Sequence, residues 1–145
     1  MFGETARKGL AAHLAIAQRL IELGFEVLEP VGNHLRYDIA YYDPASAGEK
    51  AQLVRIQCKS ARLSKDGTCL VFNAYNLGGE GRRQKRGYHG DAEYFGVYSP
   101  DARKVYMINV NECPIGETNL RLESTGKQGK NQFSTGVRWA KDYEI

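Results

Sequence analysis

Leu35-Arg36-Tyr37-Asp38-Ile39-Ala40-Tyr41-Tyr42 and, beyond the turn at Asp43-Pro44, Ala51-Gln52-Leu53-Val54-Arg55-Ile56-Gln57-Cys58-Lys59-Ser60 are the two stretches on which the fold turns. Both are rich in aromatic and branched residues, the composition of pleated, half-buried backbone. The Asp-Pro dipeptide followed by Ala-Ser-Ala-Gly supplies the reversal between them, so the pair reads as a hairpin. Side chains two apart on a strand share a face. Gln57 and Lys59 therefore point one way, while Ile56 and Cys58 enter the opposite layer. Asp38 is expected inside the neighbouring strand, with Tyr37 and Ile39 on its other face.

Working outward, Leu10, Leu14, Ala17 and Ile21, with Leu20 nearby, recur at helical spacing between Lys8, Arg19 and Glu22. The spacing predicts an amino-terminal helix closed by Gly24, followed by a strand over Phe25 to Glu29. On the carboxyl side, strands are expected at Thr68 to Tyr75, Glu93 to Tyr98, Val105 to Val110 and Asn119 to Leu122. Gly78, Gly79, Gly81, Gly87 and Gly90 bracket Arg82-Arg83-Gln84-Lys85-Arg86, which reads as a mobile basic loop. Val137, Trp139 and Ala140 form an apolar anchor near the end.

At 145 residues the chain fits a single domain over 1–145, with no internal repeat or linker. Hydrophobic content of 42% with 26% charged residues excludes a disordered chain. Cys58, Cys69 and Cys113 contain no CxxC pair and leave an odd count, against both a disulfide framework and a zinc site. With no apolar signal core and no membrane-length apolar run, a cytoplasmic location is expected, with no membrane partner.

The net charge of +3 is unevenly spread. From Gln52 to Arg86, eight basic residues face only Asp66 and Glu80. Such a local excess is what a polyphosphate partner requires, because neutralised phosphates release counterions. Arg62, Arg82, Arg83, Lys85 and Arg86 are the candidate DNA contacts.

An acid, an amide and an ammonium group meeting at Asp38, Gln57 and Lys59 suit phosphodiester hydrolysis. The reaction needs an activated water and an offset for charge growing on the phosphate. A hard divalent ion does both, and Mg2+ takes oxygen ligands while keeping several waters. Lys59 is placed to orient the water or to stabilise the transition state.

Glu4 in the first helix, Arg36-Tyr37-Asp38 and Ile56-Gln57-Cys58-Lys59 together resemble the PD-(D/E)xK nuclease superfamily. More narrowly they resemble a subgroup that includes an intron-encoded homing endonuclease, with glutamine at the D/E position. Leu35 to Arg62, Asp91 to Val110, Gly136-Val137-Arg138-Trp139-Ala140 and Asp142-Tyr143-Glu144 carry the likeness over most of the chain. The resemblance implies an α/β, restriction-endonuclease-like core, a central mixed β-sheet flanked by helices. It implies Asp38 as direct metal ligand, Gln57 lending its side-chain oxygen, the Cys58 backbone carbonyl adding another, Lys59 serving the attacking water and Glu4 supporting the metal. It further implies cleavage of double-stranded DNA by a homodimer or higher homo-oligomer. Tyr37 stands where the motif has proline. Gln57 removes one negative charge, which weakens cation binding unless Glu4 compensates. A non-catalytic DNA-binding or assembly module on the same fold is the alternative reading.

The remaining polar residues suggest less. His13, His34 and His89 lack ligand spacing, and Gly78-Gly79-Glu80-Gly81 lacks the ending of a phosphate-binding loop. Tyr88 and His89 follow the basic run and are candidates to stack on or hydrogen-bond to nucleic acid, whereas Tyr41, Tyr94, Tyr98 and Tyr106 fall in strand patterns and are expected to pack.

Overall fold

The computed structural model describes residues 3–44, 50–78, 84–122 and 137–145. In chain order the elements are helix α1 (Glu4–Glu22) and strands β1 (Glu26–Leu28), β2 (Ile39–Asp43), β3 (Gln52–Ser60), β4 (Arg62–Leu63), β5 (Cys69–Asn73), β6 (Asn76–Gly78), β7 (Gln84–Arg86), β8 (Tyr94–Ser99), β9 (Lys104–Asn109) and β10 (Glu117–Arg121). Short 3-10 turns cover Val110–Glu112 and Ala140–Asp142.

Helix α1 ends as the glycine foretold. Gly24 takes φ 92°, its N–H donates to Ile21 O and that of Phe25 to Leu20 O, the paired bonds that close a helix through a left-handed residue. The chain then turns directly into β1. Five strands form one sheet in the order β1-β2-β3-β8-β9, in which β3 and β8 run parallel and every other pair is antiparallel. The central mixed sheet that the resemblance implies is thus present.

Its two faces are covered differently. On one lies α1, whose Ala12, Ile16 and Leu20 pack against Ile39, Ile56 and Val105. The approach is close at Gly96: an added Cβ would stand 2.8 Å from Ile16 Cγ2 and 3.0 Å from Ile56 Cγ2. Over the other lies a three-stranded antiparallel sheet, β10-β5-β4. Leu70, Phe72 and Leu120 meet Phe95, Val97 and Ile108 there, with the Phe72 and Phe95 rings edge-on at 5.5 Å. The sheet is therefore flanked by one helix and one sheet among the described residues, not by helices on both faces.

Three local expectations change. The buried stripe of α1 is Ala12, Ile16 and Leu20, while Leu10, Leu14 and Ile21 are 57%, 57% and 60% exposed. Asp38 precedes β2 at a bend, so Tyr37 and Ile39 do not share a face: Tyr37 packs toward the second sheet and Ile39 toward α1. Gln84, Lys85 and Arg86 form β7, paired with β6 in a two-stranded ladder, where a loop was expected. Arg82 and Arg83 lie outside the described residues.

Candidate active site

The site is built on the margin of β3. At Asp38 the backbone N–H donates to Ile56 O at 2.9 Å, and the carboxylate Oδ2 accepts the Cys58 N–H at 2.9 Å. A side-chain oxygen thus takes the place a ladder carbonyl would fill, which fixes the carboxyl group against the strand. Its other oxygen is left over, and no cation lies within ion-pair distance of it among the described residues. In a strand the N–H and C=O of one residue face the same side. The Cys58 carbonyl therefore faces Asp38, past the start of β2.

Strand period places Gln57 and Lys59 on the face toward the second sheet, opposite Ile56 and Cys58, as expected. Gln57 is half-buried. The Lys59 ammonium donates to Tyr75 O at 3.1 Å and to Tyr88 Oη at 3.4 Å, and stands 4.8 Å from the Tyr88 ring centroid. Burial lowers its pKa to about 8, with the Asp38 charge pulling it up and Arg36 pushing it further down. The carboxylate and the ammonium therefore sense one another. The Cys58 thiol is held protonated by burial and by the charges of Asp38 and Glu29, so it offers no nucleophile.

Around this core stand residues that the sequence reading had not placed beside Lys59. Arg36 lies 4.5 Å from the Tyr88 ring centroid and donates to Gly87 O at 2.6 Å and to Asn76 Oδ1 at 3.3 Å. Its Nε is 2.8 Å from Asp91 Oδ2, an ion pair by distance although the N–H is not aimed along it. Tyr88, expected to stack on nucleic acid, is 5% exposed and packs edge-on against Phe95 at 5.6 Å. On the helix side of Asp38 a cavity of about 330 Å3 is lined by His13, Glu29, Asn33, Tyr37 and Asp38, among others, and His13 Nε2 lies 2.6 Å from Glu29 Oε1. Gln57 and Lys59 do not line it.

Glu4 is not part of this gathering. Its side chain is 74% exposed, pairs with Lys8 at 2.7 Å, and lies roughly 13 Å along the helix axis from His13. Of the basic residues, Arg62 is paired with Glu117 at 2.8 Å, Lys85 Nζ lies 4.8 Å from the Tyr75 ring centroid, and Arg86 is exposed. Among the described residues no three His, Cys, Asp or Glu side chains converge as a ready-made metal cage. What the structure brings together is the Asp38 carboxylate and the Cys58 backbone, oxygen donors that suit a hard cation that retains water, while Gln57 lies on the other face of β3.

A mixed sheet with a carboxylate just before one strand and a lysine near the end of the neighbouring one is the arrangement of a restriction-endonuclease-like core. Residues 3–145 match the model of the PD-(D/E)XK endonuclease family, and the chain belongs to that family. Among solved structures it is similar to the bacterial homing endonuclease I-Ssp6803I, with a TM-score of 0.71 and 24% identity over 98% of this chain and 89% of that one. That likeness is one of fold. Among curated proteins none matches the chain. No helix among the described residues is long and apolar enough to cross a membrane.

Proposed function

We propose that this endonuclease hydrolyses phosphodiester bonds of double-stranded DNA with the help of Mg2+, through a site made of Asp38, Gln57, the Cys58 carbonyl and Lys59. The observation that carries the reading is Asp38: a carboxylate fixed to the backbone by one oxygen, with no ion-pair partner among the described residues, beside a half-buried lysine. Asp38, the Gln57 amide oxygen and the Cys58 carbonyl would hold the cation. When bound, it would offset phosphate charge and acidify water. Glu29 is better placed than Glu4 to restore the negative charge that Gln57 lacks, since it borders the same cavity as Asp38.

Lys59 has three N–H donors, of which two are used by Tyr75 and Tyr88. The third is free to orient the attacking water or to donate to a non-bridging phosphate oxygen. With a pKa of about 8 the group is mostly charged at neutral pH, so it stabilises developing negative charge by position and without reorganisation. Lys85 and Arg86, with Arg82 and Arg83 beyond the described residues, supply phosphate contacts. Arg62, already paired with Glu117, contributes less. One domain and one such centre per chain favour a homodimer or larger homo-oligomer, because the two strands of a duplex need two cuts. Sequence-specific cutting of the homing type is the form this takes.

The test is nicking of plasmid and oligonucleotide duplexes with Mg2+ present and absent. Cleavage should require the ion and vanish in Asp38→Ala and Lys59→Ala. Equal duplex binding with and without Mg2+, and no cutting, would instead make the protein a DNA-binding module.

A further inference from the structure

The hydrogen-bond acceptors that hold the Lys59 ammonium come from one place, the base of the β6–β7 hairpin. Tyr75 immediately precedes β6 and offers its carbonyl; Tyr88 follows β7 by two residues and offers its hydroxyl and ring. Arg36, two residues before Asp38, reaches the same base from the other side of the site. Its guanidinium bonds Asn76, the first residue of β6, and Gly87, the residue after β7, and stands over the same Tyr88 ring. Asp91 closes this arrangement from beyond Gly90. Thus both strand ends of the hairpin are tied to the two chain segments that carry Asp38 and Lys59.

Strand β7 itself has a different character. Gln84, Lys85 and Arg86 are all exposed. Lys85 lies over the face of Tyr75, whose carbonyl takes Lys59. One residue therefore touches a surface cation with its ring and the buried ammonium with its backbone. An exposed Lys and Arg on a two-stranded ribbon are suited to phosphate oxygens.

We propose that the β6–β7 hairpin is a DNA-engaging arm whose base positions Lys59, so that phosphates seated on Lys85 and Arg86 fix the lysine for cleavage. The proposal rests on the nuclease reading of Asp38 and Lys59. Tyr88 and Arg36 act in it as positioning residues, through Lys59, and Lys85 and Arg86 as the contact surface.

The experiment measures duplex affinity and the single-turnover cutting rate at saturating DNA separately, on purified full-length protein. Tyr88→Leu and Arg36→Met should slow saturated cutting about 10- to 100-fold, the cost of misplacing a catalytic group, while affinity stays near wild type. Tyr88→Phe keeps the ring beside both cations and loses only the 3.4 Å hydroxyl contact, and should regain most of what Tyr88→Leu loses. The Lys85→Ala/Arg86→Ala double variant should bind more weakly, with a salt slope smaller by about 1 to 2, and should also cut slowly when saturated. If Tyr88→Leu fails to fold, Arg36→Met carries the same comparison. Saturated cutting by the double variant at the wild-type rate, or wild-type cutting by Arg36→Met, overturns this proposal alone. A wild-type protein that binds duplex but never cuts overturns the nuclease reading and the proposal with it.

Discussion

Asp38 and Glu93 stand on opposite margins of β3 and do the same thing to its backbone. Each precedes or enters a neighbouring strand, each donates its own N–H to a β3 carbonyl, and each accepts a β3 N–H through its carboxylate: Cys58 at 2.9 Å for Asp38, Arg55 at 2.6 Å for Glu93. What differs is the counter-charge. Glu93 is gripped by the Arg55 guanidinium, with Nη2 to Oε1 at 2.6 Å and Nε to both oxygens at 3.1 Å, and this holds its pKa down. Asp38 has the same anchoring and, among the described residues, no cation within ion-pair distance. One carboxylate is finished as structure; the other is left for something to complete.

The largest effect should come from Asp38→Asn. The amide oxygen still accepts the Cys58 N–H, so the fold and its Tm should be retained, while the charge is gone. Cleavage should fall about 1000-fold or more, as expected for removing a charge that acts at the reacting centre. A variant that keeps cutting would put Asp38 in the same class as Glu93. Next in size is the contrast between Glu29→Gln and Glu4→Gln. Calorimetric titration with Mn2+ should show affinity weakened about 10- to 100-fold by the first, the usual range for groups that support a metal ligand, and no change from the second, since Glu4 is exposed and paired with Lys8. The reverse order would restore Glu4 to the site.

Glu93→Gln should reverse the Asp38 pattern, cutting normally but unfolding more easily. Its side chain is 39% exposed, so solvent discounts the pair and the loss should be about 1 kcal/mol, a Tm fall of about 2–4 °C. An activity loss without a change in Tm would show that the two margins of β3 are not divided between structure and chemistry.

The sequence made Gln57 and Lys59 legible because strand period is short-range: two residues apart is one face wherever the strand lies. Local composition and turn chemistry likewise recovered the hairpin and the Gly24 stop, whereas the mixed sheet came from the family resemblance. Periodicity failed where several solutions share one period. Helix α1 is apolar around more than half its girth, and Leu10, Leu14 and Ile21 satisfy helical spacing as well as Ala12, Ile16 and Leu20 do. The choice is made by Gly96, whose missing side chain lets a close-packing stripe of Ala12 and Ile16 sit on the sheet. Nor could spacing reveal Tyr75, Tyr88, Arg36 and Asp91 around Lys59, or Glu29 beside Asp38. Their meeting is tertiary, and glycines around the basic run suggested a loop where β7 forms. The signal that was present is modest: Arg36 stands two residues from Asp38 at the start of an aromatic and branched stretch, where a charged side chain needs a partner.

A third carboxylate sharpens the comparison at its weakest end. Asp66, like Asp38, has no ion-pair partner among the described residues, yet its Oδ1 accepts from Ser64 Oγ at 2.7 Å, Thr68 Oγ1 at 2.8 Å and Thr68 N at 3.1 Å. Those hydrogen bonds, Ser64 first, lower its pKa from 3.8 to about 2. A folded-state pKa below the unfolded one means that the folded protein binds protons less readily. The stabilisation is therefore full above about pH 4 and lost as pH falls through about 2. Thermal melts across that window should show Asp66→Asn converging on wild type at the acid end and lying slightly below it at neutral pH, with cutting unaffected. A gap that stays constant with pH would mean that the donors serve the turn rather than the charge. Donors alone would then not complete a carboxylate, and Asp38, with a single N–H, would be further from completion still.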